Sequence, residues 1–156
     1  MLRPTHAYAS DKLNFSGKYV VEQRKNTSEN TLTLEVIQTD DSIEITRVKR
    51  GTKTVSHCPL DGSYGDYAGA EGVGRCKAQL KPKYLIIESD VLTPIALIQS
   101  QRPPSQERMH TTAKWQLSSD AKTLIIKSDR ELLNLPAGSF SLGNMSGTVK
   151  YKRVNP

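Results

Sequence analysis

Apolar residues recur at every second position through most of this chain, and that period admits strands and little else. Thr31-Leu32-Thr33-Leu34-Glu35-Val36 alternates strictly, as does Ser42-Ile43-Glu44-Ile45-Thr46-Arg47-Val48. Successive side chains of a strand point to opposite faces. The first run therefore presents Leu32, Leu34 and Val36 to a core, and the second presents Ile43, Ile45 and Val48. The polar stretch Thr39-Asp40-Asp41-Ser42 between them is turn chemistry, so the pair reads as a hairpin.

The same grammar continues along the chain. Val48 to Arg50 and Thr52 to Val55 flank Gly51. Cys76 to Leu80 and Tyr84 to Glu88 flank Lys81-Pro82-Lys83, where Pro82 presets a turn dihedral. Ala113 to Leu117 and Thr123 to Lys127 flank Ser118-Ser119-Asp120-Ala121. A strand is expected at Pro94 to Gln99, then a polar loop through Pro103-Pro104 and a return strand from Arg108. Gly17 to Val21 opens the series and Thr148 to Arg153 ends it. Arg130 to Leu135 could form one helical turn before Pro136 stops it.

This makes nine or ten short strands joined mainly by hairpins. Such a meander curls closed to remove its edges, and pairing the first strand with the last would close it. The expected fold is all-β: a single antiparallel meander closing into an 8–10-stranded barrel. Residues 1–13 read as an N-terminal tail and 14–156 as one barrel domain. The Gly-rich stretch Pro59 to Gly74 breaks the rhythm and reads as a long loop over one barrel mouth.

A chain of 156 residues can build a core without metal or staples. No apolar run approaches the length needed to span a bilayer as a helix. The net charge of +6 favours anionic partners, but basic residues are spread along the sequence. The one dense run is Arg47, Lys49, Arg50 and Lys53, which reads as a solvated hairpin tip. Cys58 and Cys76 can form one disulfide across the Gly-rich stretch or remain two buried thiols.

Catalysis finds no support in the motifs. The three histidines, His6, His57 and His110, lie near no Gly-x-Ser-x-Gly elbow. His57 and Cys58 are neighbours on a strand and so face opposite ways. His57, Cys58, Asp61 and Cys76 lack paired metal-ligand spacing, so neither metal nor cofactor is expected. Glu35 and Glu44 fall on outward faces and form no convergent acid pair.

Near the start, Asn14-Phe15-Ser16-Gly17-Lys18-Tyr19 resembles the G-x-W opening of lipocalins and their calycin relatives, with Tyr19 where tryptophan is usual. The block Lys114-Trp115-Gln116-Leu117-Ser118-Ser119-Asp120-Ala121-Lys122-Thr123-Leu124 resembles one found in small bacterial lipocalin-like proteins, with Ala121 where glycine is common. The resemblance implies that Tyr19 plugs one barrel end beneath Arg153 of the last strand. It also implies an exported bacterial protein. A secreted or periplasmic location follows, as a mature domain without its signal peptide.

A barrel of this size encloses either a filled core or room for one small molecule. The candidate lining is Leu34, Val36, Ile43, Ile45, Leu85 and Ile87, with Leu97, Ala113, Trp115, Leu124 and Ile126. Thr111 and Tyr151 add hydroxyls that could orient a ligand. The functional expectation is a non-catalytic protein binding a small apolar or amphipathic ligand. The alternative is a solid barrel acting through its surface, with the Arg47 to Lys53 tip and the Pro103-Pro104 loop as contacts. Aromatic residues are few, so no nucleic-acid partner is expected.

Overall fold

A computed structural model describes residues 13–22, 32–69, 72–92, 108–133 and 145–154. They form ten antiparallel strands: β1 (Gly17–Val21), β2 (Leu32–Gln38), β3 (Ser42–Lys49), β4 (Thr52–Pro59), β5 (Gly65–Gly69), β6 (Gly72–Leu80), β7 (Leu85–Leu92), β8 (Arg108–Leu117), β9 (Thr123–Leu133) and β10 (Met145–Val154). The sheet order is β4-β3-β2-β1-β10-β9-β8-β7-β6-β5. The first and last strands pair, with Tyr19 opposite Arg153 and Val21 opposite Tyr151. The sheet therefore curls into a nearly closed barrel whose seam lies between β4 and β5. Among the described residues no helix is long and apolar enough to cross a membrane.

The turns form for local reasons. Thr39 Oγ1 accepts the backbone N–H groups of Asp41 and Ser42, at 3.2 and 3.1 Å, and fixes the β2–β3 turn. Arg50 and Gly51 both adopt positive φ, 52° and 78°, in the β3–β4 hairpin. Two-residue hairpins favour this geometry because its twist matches the strands. Ala121 also takes positive φ, 59°, a conformation with a real cost for any residue bearing a Cβ. The Asp120 carboxylate holds that turn by accepting from the Ser118 hydroxyl and the Lys122 N–H. Those bonds keep the Asp120 pKa below its ordinary value.

Four expectations need correction. The stretch Pro59 to Gly74 is not one long loop: it contains β5 and the start of β6. Two of its glycines mark walls that approach closely. A Cβ on Gly65 would fall on the His57 carbonyl oxygen of β4, and one on Gly74 would fall on the Asp90 carbonyl oxygen of β7. Second, residues 130–133 continue β9 and form no helical turn. Third, Val48 pairs with outward-facing Thr33, whereas Arg47 pairs with buried Leu34. Arg47 therefore shares the inward face with Ile43 and Ile45 and is not part of the hairpin tip. Fourth, the sheet edges are β4 and β5, so pairing β1 with β10 does not by itself complete the barrel. The strand expected at Pro94 to Gln99, Leu97 within it, and the Pro103-Pro104 loop lie outside the described residues.

Side chains close the seam where the backbone ladder stops. Ser56 Oγ donates to the Ala68 carbonyl and accepts its N–H, both at 3.0 Å. A Cys58–Cys76 disulfide ties β4 to β6, with Cα atoms 5.1 Å apart. The Arg47 guanidinium lies 5.7 Å from the Tyr67 ring centroid, linking β3 to β5.

Candidate ligand site in the barrel

The inward face changes character along the barrel axis. At one end stand the starts of β1, β3, β7 and β9 and the ends of β2, β4, β6, β8 and β10. Here Phe15, Tyr19, Leu34, Val36, Ile43, Ile45, Leu85, Trp115 and Leu124 are all less than 2 % exposed. Phe15 meets Trp115 edge to face, with ring centroids 6.3 Å apart. The Tyr19 hydroxyl donates to the Phe15 carbonyl at 2.7 Å. Gln38 secures the strand entry, accepting from the Phe15 N–H and donating to the Leu13 carbonyl.

Arg153 lies over Tyr19 with its guanidinium carbon 5.6 Å from the ring centroid. It also donates to the carbonyls of Ala121 and Ser16. Gly17 allows that approach: a Cβ there would sit 2.9 Å from Arg153 Nε. Burial raises the Tyr19 phenol above its ordinary pKa of 10.0, and the Arg153 charge opposes that rise. The unfolded chain therefore ionises this phenol first. The stability it contributes is complete below pH 10 and is lost as the pH climbs through the folded value. Tyr19→Phe is expected to cost about 1 kcal/mol near neutrality for the lost hydrogen bond. It should also flatten the alkaline fall, as urea unfolding on both sides of pH 10 would read.

Midway along the axis, Ala78, Ile87, Ala113, Ile126 and Tyr151 remain buried, and Thr111 is 9 % exposed. At the far end the same face becomes accessible. Val149 follows the register of buried Tyr151 yet is 41 % exposed. Gly147 is exposed as well, and Leu32, Met109, Ser128 and Met145 are only half buried. Beyond Lys150, β10 has outrun β1, which ends at Val21.

Two arginines, Arg47 opposite Leu34 and Arg130 opposite Thr111, face inward by register. Neither is legible in the sequence as an inward group, because a charge in an alternating strand reads as an outward residue. Arg47 Nη1 is buried and makes no hydrogen bond among the described residues. A buried donor left this way carries a desolvation cost.

The remaining clusters lie elsewhere. A cleft of about 790 Å³ sits at the rim beside Gly17, lined by Ser16, Lys18, Glu35, Val36, Arg153 and Val154. It flanks the packed end, and of the expected lining only Val36 borders it. On the outer wall, His110 Nδ1 meets Asp90 Oδ1 at 2.6 Å, and Thr112 Oγ1 lies 3.5 Å from His110 Nε2. The Asp–His–Thr succession resembles a nucleophile relay, but Thr112 sits within the β7–β8–β9 ladder on an open sheet face. Arg75 pairs with Asp90, and Lys77 with Glu88, so the cluster clamps β6, β7 and β8 together. His57 is exposed, opposite in facing to buried Cys58, and both thiols are consumed by the disulfide.

No protein-family model matches the chain, and no curated protein matches it in sequence. Solved structures do match in shape. The REP1-NXSQ fatty acid transporter superposes with a TM-score of 0.55 at 12 % identity, covering 90 % of this chain and 96 % of its own. A single-site mutant of the same transporter gives 0.56 at 12 % identity, covering 89 % and 97 %. At that identity the likeness shows the fold, a lipocalin-like β-barrel.

Proposed function

We propose that this chain is a non-catalytic carrier that holds a small amphipathic ligand in the accessible half of its barrel. The observation that carries the reading is the gradient along the inward face, from a packed end to a wall where Val149 is 41 % exposed. A solid barrel would bury its inward residues at both ends. The ligand's apolar part would lie against half-buried Met109 and Leu32. Its polar end would face Arg47, whose Nη1 makes no hydrogen bond among the described residues. An apolar wall with a few placed polar groups is the usual make-up of such a site. The fatty acid transporters of the same shape favour a ligand with an acidic head and an alkyl chain. The disulfide fits an oxidising, extracytoplasmic compartment.

Arg47→Met keeps the stem and removes the charge. It is expected to weaken a long-chain fatty acid by about 10- to 100-fold, the worth of one charge-assisted hydrogen bond. The fatty alcohol of equal chain length should change by less than about threefold. Displacement of a fluorescent apolar probe measures both. Equal losses for acid and alcohol would remove Arg47 from the head-group role, and no displacement by either would reject the carrier.

A further inference from the structure

We infer that the outer face of β8–β10 is a docking surface for membranes rich in anionic lipid. The ladder register gathers lysines that are far apart in sequence. Lys114 stands directly opposite Lys127, and Lys127 opposite Thr148. One step along, Gln116 faces Ile125, and Ile125 faces Lys150; a further step brings Lys152 opposite Thr123. Lys127, Lys150 and Lys152 are exposed. One acid borders these outward rows: Glu22, just past β1, donates its backbone N–H to the Lys150 carbonyl and so stands beside Lys150. Of the acids one row away, Asp129 accepts from the Ser146 hydroxyl and Glu88 pairs with Lys77.

None of these four lysines forms an ion pair among the described residues, whereas Arg75 and Lys77 on the neighbouring wall both do. Like charges directly opposite on a sheet are destabilising. The Lys114–Lys127 pair therefore works against the fold and gains only when an anionic surface arrives.

The occupant follows from what lies between the charges. Half-buried Ile86 and Ile125 interleave with the lysines, which suits lipid head groups and the upper acyl region. A single-stranded nucleic acid would need exposed aromatic platforms, and the ring at this face, Tyr84, lies beneath Lys114 Nζ at 4.4 Å. The inference stands on the charge register alone and is independent of the ligand in the barrel.

The test is co-sedimentation with phosphatidylserine–phosphatidylcholine vesicles and with pure phosphatidylcholine vesicles. Binding is expected to the first only, and to fall steeply as salt rises from about 0.1 M to about 0.5 M. Each lysine near such a surface is worth about fivefold in affinity, so Lys127→Gln/Lys150→Gln should weaken binding about 25-fold. Lys49→Gln/Lys53→Gln, with the same charge change on the β3–β4 hairpin, should weaken it by less than about threefold. The first pair should also keep or raise the thermal midpoint, showing that folding is intact. Absence of vesicle binding, equal losses in both pairs, or tighter binding to a single-stranded oligonucleotide than to vesicles would overturn the inference.

Discussion

Trp115→Ala is expected to lower the unfolding free energy by about 3–5 kcal/mol, the largest single-site effect in this barrel. Its ring is 1 % exposed and stands between Leu85 of β7 and Ile126 of β9. It also meets Phe15, which lies outside the strands and anchors the entry to β1. Truncation leaves a cavity that the flanking strands cannot fill, because both are held in register by the ladder. A domain of this size is stable by only about 5–15 kcal/mol, so the variant should unfold at much lower urea. Trp115→Phe should recover most of the loss. A loss below about 1 kcal/mol would mean that this end is not packed as described.

Removing both cysteines as Cys58→Ala/Cys76→Ala is expected to cost about 3 kcal/mol, the closure entropy of a loop spanning 18 residues. In a chain of this length that amounts to roughly 6–12 °C in Tm. The disulfide also lies at the seam, where β4 and β5 share no backbone ladder among the described residues. The expected loss should therefore appear first at the seam. Amide exchange should accelerate at Ala68, whose N–H is held by Ser56, before it accelerates in β8 or β9. Uniform loss of protection across all strands would show that the seam is no weaker than the rest.

Much of this architecture is legible in the chain because period two survives in most strands. Leu34, Val36, Ile43 and Ile45 announce their face, and the turn residues announce the hairpins. The β5–β6 hairpin is not legible for a physical reason. Four of its inward positions, Gly65, Gly69, Gly72 and Gly74, are glycine, and a side chain at Gly65 or Gly74 would meet the backbone of β4 or β7. Glycines chosen for close approach look the same as glycines chosen for a loop.

The candidate site shows a second blind spot. Alternation itself puts Arg47 on the inward face, two positions after Ile45. Its charge and its neighbours Lys49 and Arg50 pull the reading outward instead. Buried Tyr67 beneath the guanidinium and the shelter of Nη1 become visible only in three dimensions. The lysine face is a third case: Lys114, Lys127 and Lys150 look scattered in sequence and are set side by side by the register of β8, β9 and β10. Resemblance at the Gly17-Lys18-Tyr19 opening pointed to Arg153, and the cation does lie over that ring.

The carrier reading is tested most directly by a methyl-resolved NMR titration of the intact chain with a long-chain fatty acid. Saturable shifts are expected at Met109, Met145, Val149 and Leu32, which line the accessible half. Ile37 and Val73, exposed on the outside at 48 % and 73 %, should stay still. Shifts confined to those outer methyls, or no shift at any methyl, would contradict a ligand inside the barrel.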